Sequence, residues 1–268
     1  MSISVIAQGL KLLTLQGIAL QGDALVVPTL EGTLVRISPQ GQVTPLVNFL
    51  SANLGIPFAI TAERNSQGNP AQDNALIVTV TGYLPDHYLV RVKPDGTYAK
   101  ITDLTQICTE FGAPFGVAVY QQNYVVTLST DVAEAVGQIV RVGPDGTISQ
   151  PILLDGRGNP FGIAVQTDEF VVAQSKRLLL RVTQTGKVST IVDLQQAGFG
   201  IPFFVAVWNT DLVITTNLGW VVKLDSDGKI DAIVNVRAAK YGIPSGIAVY
   251  QNDLIVTTNS GYVLRLSP

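Results

Sequence analysis

The chain has 268 residues, of which 47% are hydrophobic and 14% charged, and its 17 basic and 20 acidic side chains give a formal net charge of −3. No apolar run reaches the roughly 18 residues of a membrane span, so a membrane is not expected as a partner. No stripe of Lys and Arg is present, which argues against nucleic acid, and one Cys with one His excludes a Cys/His zinc site.

The N-terminus has no basic segment followed by an apolar one. We therefore expect a cytoplasmic protein, unless a leader was removed ahead of this numbering. The single cysteine, Cys108, can form no internal disulfide, and its neighbours give no sign of activation. We interpret it as an inert structural residue. The sequence leaves the oligomeric state open.

A short motif recurs along the chain and decides the fold. Its clearest copies are Pro-Phe-Gly-aliphatic-Ala-Val at 114–119 and 160–165, with further copies at 201–207 and 243–249 and degenerate ones at 15–20 and 56–60. The position before the aromatic is 15, 57, 114, 160, 202 and 244, most often 42 residues apart. The residues after the last copy and before the first make up nearly one more period, so the repeat closes on itself.

Each repeat holds four short runs rich in Val, Ile, Thr and aromatic residues. In the fourth repeat these runs are 162–165, 170–173, 178–182 and 187–192. Such runs are typical of strands, and Gly in the third turn, as at 95–96 and 145–146, supplies the positive φ of a tight hairpin. Four strands at this period predict one blade of a β-propeller.

The sequence thus predicts an all-β fold, a six-bladed β-propeller of four-stranded antiparallel blades that forms a single domain over residues 1–268. The last repeat lacks its outermost strand, and the apolar run within residues 2–7 matches the missing one. We expect this N-terminal strand to lie against residues 262–266 and close the last blade, because a free sheet edge would invite pairing with other chains.

Four of the six junctions between repeats begin with Asn or Asp and end with Gly, at 48–57, 103–114, 193–202 and 235–244. Asn or Asp suits a helix N-cap and Gly suits the position after a helix, so a helical turn is expected in each junction. The second repeat carries two insertions, at 64–73 and 83–87, of the polar kind that often carries function.

The repeats resemble those of the NHL-repeat and SMP-30/gluconolactonase-like six-bladed propellers, and more distantly those of the streptogramin B lyase type. The resemblance lies in Phe-Gly-Ile-Ala-Val at 161–165, in the strand 254–257 and in Val-Arg-Val-Gly-Pro-Asp-Gly at 140–146, and it covers nearly the whole chain. It implies the architecture rather than one activity. In the lyase type it also implies a histidine near the channel, for which His87 is the one candidate.

In the metal-dependent hydrolases of this group, the resemblance implies oxygen ligands for a divalent cation at the starts of the inner strands. Four of the six starts are aromatic here and none is a carboxylate: Gln16, Phe58, Phe115, Phe161, Phe203 and Ser245. A hard cation needs several oxygen ligands, so we expect no metal site with more than two carboxylates, and no cofactor.

Candidate ligand contacts lie on the face that holds the inner-strand starts and the turns between second and third strands. They are Phe58, Phe115, Phe161, Phe203, Asn217, Trp220, Asn259, Tyr262 and Arg157. The four phenylalanines either encircle the channel mouth as a pocket or pack between blades, as repetition around a ring demands. The two Asn–aromatic pairs fit a sugar or peptide contact, but Asn near Gly is also ordinary turn chemistry.

Acid–base candidates are few. They are His87, its neighbour Asp86, and Glu31, with a lone surface histidine in a loop as the alternative interpretation of His87. A ring of threonines at 79, 127, 215 and 257 is interpreted as strand formers with satisfied hydroxyls. No nucleophile motif, phosphate loop or dinucleotide fingerprint is present.

The sequence favours a non-enzymatic binding or scaffold propeller that presents a polar-aromatic face to a protein, peptide or small ligand at the channel mouth. One alternative is a lactonase- or lyase-type enzyme with its site in the central channel, which rests on the family resemblance alone. Another is a purely structural, oligomeric component.

Overall fold

The computed structural model describes residues 1–63, 73–82, 86–129, 136–154 and 157–268, without the side chains of 109–111. The chain begins with β1 (Ser2–Ala7). Together with the strands that follow, it forms six four-stranded antiparallel sheets, the blades of a six-bladed β-propeller. The predicted fold class is therefore confirmed.

In each blade the strands follow one another from the central channel outward. Blade one holds β2 (Ala19–Gln21), β3 (Ala24–Pro28), β4 (Thr33–Ile37) and β5 (Val43–Asn48). Blade two holds β6 (Ile56–Ala62), β7 (Leu76–Thr81), β8 (His87–Val92) and β9 (Tyr98–Asp103). After the helix α1 (Thr105–Phe111), blade three holds β10 (Ala113–Tyr120), β11 (Asn123–Ser129), β12 (Gln138–Val142) and β13 (Ile152–Leu153).

The second half of the ring repeats this arrangement. Blade four holds β14 (Pro160–Gln166), β15 (Glu169–Gln174), β16 (Leu178–Val182) and β17 (Val188–Asp193). Blade five holds β18 (Pro202–Trp208), β19 (Asp211–Thr216), β20 (Trp220–Leu224) and β21 (Ile230–Asn235). Blade six holds β22 (Pro244–Tyr250), β23 (Asp253–Thr258) and β24 (Val263–Ser267), and β1 completes it.

The closure of the ring is as predicted. β1 runs antiparallel to β24, with Ser2 opposite Ser267 and Ile3 opposite Leu266. The two chain ends therefore lie side by side at the outer edge of blade six. Hydrogen bonds and the packing of Ile3 against the blade's apolar cluster hold this closure, as the sequence indicated.

The junctions differ from the prediction in three of four cases. Only the junction after β9 forms a helix, α1, while the other three form turns. Their first residues do cap as expected; Asn48 Oδ1, for example, accepts the N–H of Ser51 at 2.8 Å. The expected Gly has a positive φ in each turn, at Gly55, Gly200 and Gly242. A second residue of positive φ lies two positions before it: Asn53, Gly198 or Lys240.

The physical reason is the hydrogen bond that closes each of these turns. Phe49, Leu194 and Val236 are fully buried, and the carbonyl of each accepts an N–H from five residues further on. For Phe49 the donor is Leu54, at 2.8 Å. Such a bond closes a turn of the Schellman type before a regular helix can extend. A buried residue starts the α1 junction too, but there Leu104 accepts the N–H of Cys108, four residues further on.

Five of the six inner strands carry a bulge near their starts. In β10, Pro114 pairs with Leu128 and Val117 pairs with Val126, so two residues, 115 and 116, lie opposite Thr127. The same register shift occurs in β6, β14, β18 and β22. A bulge releases backbone groups from the ladder, and in a buried place these groups need other partners.

Buried threonine hydroxyls supply those partners and join neighbouring blades. Thr127 Oγ1 accepts the N–H of Gly116 at 2.7 Å and donates to the carbonyl of Phe161 in the next blade at 2.8 Å. Thr79 and Thr215 make the equivalent cross-blade bonds, at 2.8 and 2.6 Å. The predicted satisfied hydroxyls are confirmed.

Blade four departs from this pattern because Ala173 stands where the threonine would be. Here Gly162 lies directly against blade five, and a Cβ added to it would be 2.8 Å from the carbonyl oxygen of Phe203. Close backbone packing, which only Gly permits, therefore joins these two blades.

We expect Thr127→Val to lower the free energy of unfolding by about 1–3 kcal/mol, because the isosteric side chain leaves a buried N–H and a buried C=O without their partner. Urea denaturation measures this. Thr127→Ser is the matched control, since it keeps the hydroxyl and loses only a methyl group. A valine variant as stable as the wild type would show that the cross-blade bond does not stabilise the ring.

Deleting residues 1–7 should expose β24 as an edge strand and cause marked destabilisation or self-association. Thermal unfolding and light scattering would detect these effects. The control is a circular permutant in which a short Gly linker joins Pro268 to Met1 and the chain opens at Asp227–Gly228, which should keep the fold. A deletion variant with the oligomeric state and the melting transition of the full chain would contradict the role of β1.

Candidate functional site

Four phenylalanine rings form a continuous row around one end of the channel, and we call this row the phenylalanine collar: Phe58, Phe115, Phe161 and Phe203. Successive ring centroids are 5.2, 6.1 and 6.1 Å apart. Each ring is half-buried. The rings thus contact their neighbours, as blade packing demands, and also present an aromatic surface to solvent.

The two remaining positions around this end hold buried polar side chains that fasten the backbone. Gln16 accepts the N–H of Leu13 at 2.7 Å and donates to the carbonyl of Pro57 at 3.2 Å. Ser245 donates to the carbonyl of Gln16 at 3.1 Å and so joins blade six to blade one. We call this end, with the turns between second and third strands, the collar face.

Asn217 and Asn259 hold the chain where it enters a blade. Asn217 Oδ1 accepts the N–H of Ile201 at 2.7 Å, and Asn259 Oδ1 accepts the N–H of Ile243 at 2.8 Å. The aromatic residues of the two pairs lie edge-on against aromatic rings of the incoming loops, Trp220 against Phe199 and Tyr262 against Tyr241. Each pair therefore has a structural role in addition to any ligand contact.

The charged candidates on this face lie apart from one another. Glu31 pairs with Lys11, and both are exposed. Arg157 donates to Thr190 Oγ1 at 2.8 Å, on the outer strand of its blade. Asp86 is exposed beside the insertion, whose residues 83–85, like 64–72 of the other insertion, lie outside the described residues.

His87 is not the surface-loop residue that its alternative interpretation supposed. It is the first residue of β8, opposite Thr81, and only 5% exposed. Burial lowers the pKa of its imidazole, against the attraction of Asp86 and Asp103. Because β8 begins at His87, the second insertion is shorter than the sequence suggested. His87 belongs to the third strand of its blade and so lies away from the channel axis.

The channel itself contains a cavity of about 670 Å³, which none of the four collar phenylalanines lines. Its wall repeats the motif residues in layers. The layer nearest the collar is 5–7% exposed and holds Ile18, Ile60, Val117, Ile163, Val205 and Ile247. A second layer is mostly alanine, and the last layer is half-buried: Leu20, Ala62, Val119, Val165, Val207 and Val249.

The exposure of these layers rises away from the collar, so the channel opens on the opposite side of the ring. We call that side the open face; it holds the turns between first and second strands. Its polar lining comes from Tyr120, Gln121, Thr167 and Asp168. The Tyr120 hydroxyl donates to Asp168 Oδ1 at 3.2 Å.

A charged network that the sequence analysis missed lies where blades two and three meet. Arg91 binds Glu63 at 2.6 Å and Asp73 at 2.7 Å, and the Tyr124 hydroxyl donates to Glu63 at 2.6 Å. The Arg91 hydrogen bond lowers the pKa of Asp73, and burial raises that of Tyr124. The sequence does show a basic residue at the same position in all six third strands. This pattern could have pointed to the network, but the partners of the basic residue differ from blade to blade.

Within the part of the chain that the structure describes, no three His, Cys, Asp or Glu side chains come together as metal ligands would. The same residues include no helix long and apolar enough to cross a membrane. The expectation that the channel holds no cation with more than two carboxylate ligands stays a prediction.

No family model matches the sequence, and no curated protein matches it either. Many solved structures do share its architecture. An oxidoreductase of Thermus thermophilus named as a glucose dehydrogenase superposes with a TM-score of 0.71 at 14% identity, over 98% of this chain and 99% of that one.

A catalytically inactive virginiamycin B lyase of Staphylococcus aureus, solved with quinupristin, gives a TM-score of 0.66 at 13% identity, over 100% of this chain and 99% of that one. A chain of a nidogen/laminin complex gives 0.62 at 19% identity, over 81% and 78%. At these identities the likeness shows the propeller fold, which enzymes and binding proteins share.

The buried thiol of Cys108 predicts a loss of stability at alkaline pH. Burial raises its pKa from 9.0 to about 12, so between these values the unfolded chain loses a proton that the folded protein keeps. The free energy of unfolding should therefore fall as pH rises, by up to about 1.4 kcal/mol per pH unit from this group. Urea titrations of Cys108→Ala should show a shallower fall, whereas Leu104→Ala, a control in the same cluster, should keep the wild-type slope. Equal slopes for wild type and Cys108→Ala would contradict the assignment.

Proposed function

We propose that the protein is a non-catalytic binding propeller whose collar face receives a protein or peptide segment. The observation that carries the proposal is the phenylalanine collar, four contacting rings that are only half-buried at the end of the channel. Aromatic side chains fixed on rigid strands are effective anchors for a partner, because little conformational freedom is lost on binding.

The surroundings of the collar favour the same class of partner. Leu30 and Leu218, in turns on this face, are each 44% exposed and extend the apolar surface outward. The charges of Lys11 and Glu31 neutralise each other. A surface of aromatic centre and polar rim suits a peptide or protein more than a strongly charged ligand. The nidogen/laminin complex contains a propeller of this fold in a protein–protein assembly.

The repeats also support a place within the NHL-repeat and SMP-30/gluconolactonase-like group. Its enzymes supply the alternative, a lactonase- or lyase-type activity in the central channel, and the lyase and the dehydrogenase among the similar structures favour it. Metal analysis of the purified protein separates the two functions. A stoichiometric divalent cation would support the enzyme and count against a purely binding role.

Selection of a displayed peptide library on the purified protein tests the proposal. We expect selected peptides to carry apolar or aromatic residues and to lose binding by about 30-fold in Phe115→Ser and Phe161→Ser, the size of a hot-spot contact. Tyr98→Ser is the control, since Tyr98 is 43% exposed on an outer strand away from the collar. Peptides that bind the two collar variants as tightly as the wild type would refute the collar as the binding surface.

A further inference from the structure

The channel has a second opening whose chemistry differs from that of the collar. Its cavity of about 670 Å³ lies within the range of small-molecule pockets, about 300–1,000 Å³. Below the collar the cavity is lined by Phe204 and by an aliphatic layer that is 5–7% exposed, and the exposure of the lining rises toward the open face. A ligand would therefore enter from the open face with its apolar part first.

The wall also selects for a slim ligand. The inner strands are the edge strands of their sheets, so backbone N–H and C=O groups face the channel between the aliphatic side chains. A bulky apolar ligand would strip water from these groups, which is costly. An unbranched aliphatic chain along the axis contacts the side chains and leaves room for that water.

The described residues place a negative charge at the mouth. Among the described residues that line the cavity, Asp168 is the only one with a formal charge. The Tyr120 hydroxyl binds its Oδ1, and no other hydrogen bond to this carboxylate is found in the described chain. The nearby Arg141 forms no ion pair with it among the described residues; the guanidinium stacks on Phe170 and donates to the carbonyl of Gln184 at 2.6 Å.

We infer that the channel is a binding site for a small lipophilic amine, with its aliphatic chain between the layers of the wall and its ammonium group beside Asp168. The ammonium offers donors to the free carboxylate oxygen, and the chain is removed from water. An alcohol of the same length shares only the apolar part. A fatty acid would bring a second negative charge to Asp168 and should bind most weakly.

The test compares n-octylamine, n-octanol and n-octanoate by calorimetry with the purified protein at one ionic strength and pH 7. The three probes share an alkyl chain, so differences in affinity report the head group. We expect saturable binding in the order amine, alcohol, acid. Absence of saturable binding, or equal affinity for the amine and the acid, would overturn the inference.

Two carboxylate variants locate the head group. Asp168→Asn should lower the affinity for n-octylamine by about five-fold, the upper value for an exposed ion pair, and leave the affinity for n-octanol unchanged. Asp145→Asn is the matched control, since it changes the net charge equally at an exposed turn outside the cavity. Equal effects of the two variants on the amine would overturn the assignment of Asp168.

Two further variants locate the chain. Ala206→Phe and Ala248→Phe each place a ring in the wall of the cavity and should abolish binding of all three probes. If either variant folds and binds the probes as the wild type does, the channel site is overturned. Two variants are used because one of them could fail to fold. Phe115→Ser, on the collar face, should bind n-octylamine as the wild type does. Failure of the amine site in the channel can therefore be distinguished from failure of the peptide site on the collar face.

Discussion

The hydrogen bonds of the buried threonines opposite the inner-strand bulges are the interaction on which the rest of the ring depends. A propeller blade contacts only its two neighbours, so every junction must hold. The bulge leaves an N–H in one blade and a carbonyl in the next without ladder partners, and each would cost about 1–3 kcal/mol if it stayed unpaired in a buried place. One hydroxyl, as in Thr127, satisfies both. Where Ala173 removes the hydroxyl, the close approach of Gly162 to Phe203, which Gly116 also makes to Phe161, joins the blades by packing alone.

The collar follows from the same constraint. Phe115 and Gly116 are the two bulge residues opposite Thr127, and the equivalent pair in blade four is Phe161 with Gly162. In these two blades the first residue of the pair reaches the end of the channel, and the second is Gly because a Cβ on Gly116 would be 2.3 Å from the carbonyl oxygen of Phe161. In blade five the second residue is Phe204. The same bulge therefore supplies both the aromatic surface and the contacts that join neighbouring blades. A change in the collar side chain is tolerable only if the bulge behind it keeps its hydrogen bonds.

The sequence predicted what repetition encodes and missed what depends on single contacts. Blade number, strand order and closure by β1 followed from the period and from the strand patterns. The junctions did not, because the same Asn or Asp and Gly signals yield a helix after Leu104 and a closed turn after Phe49. The burial of His87 depends on where β8 begins, which a single sequence does not mark. The network around Glu63 joins strands of two blades, and its partners are spread over some sixty residues of sequence.

The two ends of the channel differ because six similar inner strands do not stay equidistant along their length. Near the collar the bulges pull neighbouring blades together through cross-blade hydrogen bonds, and the first aliphatic layer is nearly closed to solvent. Further along, the right-handed twist of each blade moves the inner strands apart. The cross-blade hydrogen bonds there run from strand ends to turns of the next blade, as from Gln21 Nε2 to the carbonyl of Asn74 at 3.0 Å and from Gln166 Nε2 to the carbonyl of Thr210 at 2.8 Å. The alanines of the second layer fit the narrow region, and the half-buried residues of the last layer lie where the ring widens. An aromatic surface at one end and an amphipathic opening at the other are thus consequences of one repeated strand, with Tyr120 and Asp168 as the local departure from symmetry that gives the opening its polarity.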